Sequence, residues 1–192
     1  MTPAAHVLVP FKRLDQAKSR LAPVMSAEER AALMLELLQG VLVAADEADV
    51  GPITIVSAEP VVLPVGVGRF DDRGVAWNEA LAAAMRAVGR EPIAAVVSAD
   101  LPRVSAEEIQ TLVRATPDRG LAIARALDGG TNAVSMRPPA VVRTRFGEPQ
   151  SAAVHAQTTA AAGLAARILD LPGLAFDVDT PADLAELRAA CR

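Results

Sequence analysis

The sequence predicts an α/β domain with a mostly parallel sheet covered by helices on both faces, and three observations carry that expectation. Short apolar runs alternate with longer segments in which apolar residues recur at helical spacing. Two of the longer segments open on a capping box, Ser26 with Glu29 and Ser105 with Glu108. With 192 residues, 52% of them hydrophobic and 22% charged, the chain can bury one full core. One domain over residues 1–192 is therefore expected.

Taken in order, VLVP (7–10) reads as a strand that stops at Pro10. VPFKRLDQAKSRL then places Lys12, Arg13, Lys18 and Arg20 in a loop without glycine. Residues 26–48 form a capped helix. ITIVS (53–57) is a strand, and the Pro- and Gly-rich run 60–75 reads as a long loop near a site. WNEALAAAMRAVGR (77–90) is a helix, IAAVVSAD (93–100) a strand, and SAEEIQTLVRAT (105–116) a helix. LAIARA (121–126) and AVSMR (133–137) are strands, and 137–150 is a second long loop. SAAVHAQTTAAAGLAARI (151–168) reads as one helix. TPADLAELRAACR (180–192) is the last, with Thr180 as N-cap and Pro181 at the first helical position.

Composition excludes several classes. The single Cys191 allows neither an intrachain disulfide nor a zinc cluster, and points to a reducing compartment. The N-terminus runs from apolar residues into cations, the reverse of a signal peptide, and no apolar run approaches the ~18 residues of a membrane span. A cytoplasmic protein without a membrane partner is expected. A net charge of −4 with four Phe, one Trp and no Tyr argues against a nucleic-acid partner.

The chemistry concentrates in a few places. In VVSADLP a buried strand delivers Asp100 at its C-terminal edge, where open α/β sheets bind ligands. Asp-x-Pro also serves as an ordinary turn; the functional reading is a ligand for Mg²⁺, a hard cation that takes carboxylates and phosphate oxygens. In FDVDTPADL, Asp177 and Asp179 are two apart, so on an extended segment they face opposite ways and only one can share a site with Asp100. Asp179, at the helix junction, is preferred, and Asp183 complements the helix dipole. Because a metal neutralises only part of a triphosphate's charge, Lys12, Lys18 and Arg20 are read as phosphate donors, the alternative being a solvated face. DGGTNAVSM is either a hairpin turn or a segment where Gly130 lets the backbone approach a ligand while Thr131 and Asn132 offer polar groups. RFGEPQSAAVH puts Gly147 in a loop and Ser151 at a helix start suited to an anion. His155, a turn further on, reads as a packing or capping residue.

Together VPFKRLDQAKSRL, VVSADLP, DGGTNAVSM, RFGEPQSAAVH and DVDTPADL resemble the guanylyltransferases that make the deazaflavin coenzyme F-420, the 2-phospho-L-lactate guanylyltransferases and their phosphoenolpyruvate subgroup. The resemblance runs from the first strand to the last helix. It implies a single-domain, Rossmann-like nucleotidyltransferase fold with a mostly parallel mixed sheet. It also implies GTP, Mg²⁺ on Asp100 and Asp179, and a three-carbon phosphorylated acid held by Thr131, Gly147 and Ser151. The expected reaction joins GTP to phosphoenolpyruvate or 2-phospho-L-lactate with release of pyrophosphate, and a homodimer is allowed for. Trp77 departs from the smaller aliphatic residue expected at that position. Other readings are a nucleotidyltransferase for another base or acceptor, or a non-catalytic nucleotide-binding domain. A glycosyltransferase would want Asp-x-Asp where this chain has SADLP.

Overall fold

In a computed structural model that describes residues 2–87 and 92–190, the strands of the described residues join in one seven-stranded sheet. They are β1 (Ala5–Pro10), β2 (Ile53–Val56), β3 (Gly68–Phe70), β4 (Ile93–Val97), β5 (Gly120–Arg125), β6 (Thr131–Arg137) and β7 (Ala165–Leu169). Across the sheet the order is β3-β2-β1-β4-β6-β5-β7. β6 runs against both β4 and β5, and the other pairs are parallel, so the sheet is mixed and mostly parallel as expected. The helices are α1 (Ala27–Ala48), α2 (Trp77–Ala87), α3 (Ala106–Arg114), α4 (Ser151–Ala161), α5 (Pro172–Ala175) and α6 (Pro181–Ala190). None of these is long and apolar enough to cross a membrane. The expected continuations of α2 over 88–90 and of α6 through Cys191 lie outside the described residues.

Strand alternation builds two cores. Val7, Val9, Ile53, Ile55 and Ala95 face one side, with Met34 and Leu38 of α1 and Ile109 and Leu112 of α3. Leu8, Val56, Ala94 and Val96 face the other, with Leu81 and Met85 of α2 and Ala152 of α4. Side chains of one strand leave on opposite faces in turn, and here both faces are covered, so the central strands are largely apolar on both faces.

Two expectations are corrected. Residues 60–75 contain the edge strand β3, which pairs Thr54 with Gly68 and Val56 with Phe70. Residues 151–168 are not one helix. Gly163 at φ +71 takes the left-handed turn, Leu164 N–H donates to Thr159 O at 3.1 Å and Gly163 N–H to Ala160 O at 2.9 Å, and this Schellman motif ends α4 before β7 begins.

The caps are equally local. Ser26 and Glu29 close a full capping box, Glu29 N–H to Ser26 Oγ at 3.2 Å and Ser26 N–H to Glu29 Oε2 at 2.7 Å. Ser105 accepts from Glu108 N–H, but the Glu108 carboxylate turns to Gly173 N–H at 2.8 Å, so the second box is half made.

Candidate active site

The C-terminal ends of β1 and β4, the β5–β6 turn, the start of α4 and the segment before α6 converge on one cleft of about 670 Å³. That volume is in the range of small-molecule sites. Asp100 sits on the turn after β4 and not in the strand itself, which ends at Val97.

One side of the cleft is ionic. Lys18 Nζ donates to Asp100 Oδ2 at 2.6 Å and to Asp179 Oδ1 at 2.8 Å, and its side chain is 4% exposed. Lys18 holds a left-handed backbone (φ +49), a conformation disfavoured for a side chain with Cβ, and it carries the ammonium inward from a loop that has no glycine. Burial alone would lower its pKa, but Asp100 and Asp179 hold it above the ordinary lysine value. Arg20 lies 3.6 Å from Asp179 and is largely exposed. Lys12 lines the same cleft and places Nζ 4.5 Å from the centre of the Trp77 ring. Arg13 pairs with Asp15 outside this group. Glu59 anchors the loop by accepting from Leu14 N–H at 3.1 Å.

The expectation that Asp177 and Asp179 face opposite ways is overturned. Asp100, Asp177 and Asp179 each offer an oxygen within 4.8 Å of the others. The opposite-face rule holds for a strand, and residues 176–179 are not in one. The backbone there is fixed by the following helix: Asp183 Oδ2 accepts from Asp179 N–H at 3.0 Å and Thr180 N–H at 2.6 Å, while Thr180 Oγ1 accepts from Asp183 N–H at 3.3 Å. Asp183 is thus the reciprocal partner in the cap of α6, and these bonds outweigh burial to hold its pKa below the usual range. Burial, then the neighbouring Asp100 charge, pushes Asp177 up to about 6, although Asn132 Nδ2 donates to it at 3.1 Å. Three crowded carboxylates, one resisting ionisation, form an oxygen-only donor set that fits a hard divalent cation.

The other side is built of hydroxyls. Ser151 Oγ donates to Thr131 Oγ1 at 3.0 Å, and Thr131 Oγ1 lies 3.1 Å from His155 Nδ1. Gly130 N–H is held by Asp128 Oδ1 at 2.7 Å, which shapes the β5–β6 turn as a hairpin that also lines the cleft. Gly147 is left-handed at φ +81, and a Cβ there would enter open space. Asn78 clamps the neighbouring backbone, accepting from Phe146 N–H at 3.0 Å and donating to Phe146 O at 3.1 Å.

The family described as "Guanylyl transferase CofC like" matches residues 5–189. The chain belongs to that guanylyltransferase family. Among its relatives, the phosphoenolpyruvate guanylyltransferase of Sphaerobacter thermophilus is 42% identical over 94% of this chain and 90% of its own length. The 2-phospho-L-lactate guanylyltransferase of Halorubrum lacusprofundi is 39% identical over 95% of this chain and 83% of its own. In three dimensions the chain is similar to a nucleotide-diphospho-sugar transferase homologue from Desulfovibrio desulfuricans, at TM-score 0.78 and 20% identity over 99% of this chain and 88% of that one. That likeness supports the nucleotidyltransferase fold.

Within the guanylyltransferase fold the cleft brings together Lys12, Lys18, Arg20, Asp100, Asp179, Gly130, Thr131, Asn132, Gly147 and Ser151. Sequence reasoning left Asn78 and Glu59 unassigned. Their partners lie 68 and 45 residues away, and no local pattern signals either contact.

Proposed function

We propose that the chain transfers the guanylyl group of GTP to the phosphate of a three-carbon phosphorylated acid, phosphoenolpyruvate or 2-phospho-L-lactate, and releases pyrophosphate. The observation that carries this reading is the division of one cleft into a carboxylate cluster backed by Lys18 and a facing hydroxyl pair beside Gly147.

Asp100 and Asp179, with Asp177 beside them, would hold Mg²⁺, which supplies charge neutralisation to the triphosphate when bound. In this reading Lys12 and Arg20 meet phosphate oxygens, and Lys18, bonded to Asp100 and Asp179, keeps the carboxylates in register. Thr131, Ser151, Gly130 and Gly147 orient the acid. A phosphate oxygen of the acid attacks the α-phosphorus, and the bond from that phosphorus to the β-bridging oxygen breaks, its electrons leaving with pyrophosphate. A phosphomonoester is largely dianionic at neutral pH, so its oxygen attacks without a general base. That suits a cleft whose nearby histidine is buried and has both ring nitrogens engaged. The protein's contribution is to hold two anions in line.

Incubation with GTP and each acid, followed by mass spectrometry, tests the proposal. A guanosine diphospho-acid adduct is expected with phosphoenolpyruvate or 2-phospho-L-lactate, phosphoenolpyruvate being the better acceptor. Absence of adduct with every three-carbon phosphorylated acid would overturn it.

A further inference from the structure

Among the described residues His155 makes no hydrogen bond to Asp100, Asp177 or Asp179, yet its own hydrogen bonds reach the acid-binding side of the cleft. The ring is fully buried. Nε2 lies 2.7 Å from the backbone N–H of Arg145, a group that can only donate. Nε2 must accept, so it carries no proton. Burial lowers the imidazole pKa to about 4, and the ring is neutral at pH 7. A neutral ring with a bare Nε2 carries its proton on Nδ1.

Nδ1–H therefore points to Thr131 Oγ1, 3.1 Å away, with the backbone carbonyl of Ser151 as a second acceptor, and Ser151 Oγ donates to the Thr131 oxygen at 3.0 Å. A hydroxyl oxygen has two lone pairs, and both are then taken. What Thr131 has left to offer is its own O–H. The same ring fixes the backbone on the far side of the acid: Arg145 N–H rests on Nε2, and the Phe146 ring packs edge-on against the imidazole at 5.7 Å between centroids, next to Gly147.

We propose that His155 is a positioning residue that makes the Thr131 hydroxyl an obligate hydrogen-bond donor to an anionic oxygen of the phosphorylated acid, so that Thr131 meets carboxylate or phosphate oxygens and not groups that must donate. The proposal rests on the assignment of Thr131 to the acid.

Two measurements test it. The chain has two histidines, His6 and His155, so long-range proton–nitrogen correlation spectra of the wild-type protein at pH 7, with His6→Gln for assignment, read the tautomer directly. The Nδ1–H form is expected at His155; the Nε2–H form or an imidazolium would overturn the inference, whatever reaction the protein performs. The second measurement is a kinetic split. His155→Asn keeps an N–H near the Nδ1 position, whereas His155→Gln keeps an acceptor near Nε2 and loses the donor to Thr131. His155→Gln should raise KM for the acid about tenfold with KM for GTP unchanged, and His155→Asn should restore most of that loss. Equal effects in the two variants, or an equal rise in KM for GTP, would reduce His155 to a packing residue. If His155→Gln does not fold, the tautomer of the wild-type protein decides. A wild-type protein that makes no adduct from any acid overturns the proposed reaction instead, and the tautomer still shows whether His155 sets the polarity of Thr131.

Discussion

Replacing Lys18 by methionine separates charge from packing at the ionic side of the cleft. Methionine retains the aliphatic bulk of a side chain that is 4% exposed and removes the ammonium. In the wild-type protein that ammonium donates to Asp100 at 2.6 Å and to Asp179 at 2.8 Å. A charge-assisted hydrogen bond contributes about 1.5–3 kcal/mol. Side-chain exposures of 24% for Asp100 and 43% for Asp179 bring both bonds to the lower end of that range. Metal-free Lys18→Met should then be about 2–3 kcal/mol less stable, a fall in Tm of roughly 5–10 °C for a domain of this size. The same substitution removes the cation that competes with a divalent ion for the carboxylates. Mg²⁺ or Mn²⁺ should bind about tenfold more tightly, worth about 1.4 kcal/mol. Thermal unfolding across a metal titration measures this, because bound metal stabilises by RT ln(1 + [L]/Kd). At high metal concentration the variant should gain roughly 3–6 °C more than the wild type gains. Equal gains in the two proteins would refute the view that Lys18 and the metal share these oxygens.

Thr131→Val should raise KM for the acid about tenfold and leave KM for GTP unchanged, since one lost donor costs roughly 1–2 kcal/mol; steady-state kinetics with each substrate varied in turn would show the reverse pattern if the two halves of the cleft are misassigned. Gly147→Val should raise KM for the acid further, because Gly147 stands at φ +81 and the new side chain enters the open cleft; an unchanged KM would place the acid elsewhere. Buried His155 and half-buried Asp177 give opposing pH dependences in the metal-free protein. His155 falls to about 4 from 6.5, so the unfolded chain binds the extra proton and stability drops as pH falls from about 6.5 to 4, by at most about 3 kcal/mol. Asp177 rises to about 6 from 3.8, so the folded chain holds the extra proton and stability drops as pH rises from about 4 to 6, by a similar upper bound. Asp177→Asn should remove the second slope and leave the first. Urea unfolding at pH 4.5 and 6.5 should therefore show a larger gain with pH in Asp177→Asn than in the wild type, and identical gains would contradict the upward shift of Asp177.

The strands β1, β2, β4, β5 and β6 were legible because burial on both faces makes each a largely apolar run, broken only by polar residues such as His6, Thr54 and Ser135. β3 and β7 were not. They close the two edges of the sheet, Gly68–Phe70 and Ala165–Leu169 are only partly buried, and the alanine-rich stretch leading into β7 reads as more helix unless Gly163 is taken as its stop. In the site, Asp100 was legible from its place after a buried strand, and Thr131 from the paired glycines before it. The shared facing of Asp177 and Asp179 was not, because it depends on a cap made by Thr180 and Asp183, further along the chain. Nor was the bond of Lys18 to Asp179, a contact across 161 residues that only the fold creates.

The most direct test of guanylyl transfer is phosphorus NMR of the wild-type protein with GTP, Mg²⁺ and phosphoenolpyruvate, with Asp100→Asn run beside it. Pyrophosphate and a coupled pair of phosphorus signals from a new diphosphate should grow together, only when both substrates are present, and both should vanish in Asp100→Asn. Pyrophosphate release from GTP that does not depend on any three-carbon phosphorylated acid, or full turnover in Asp100→Asn, would contradict it.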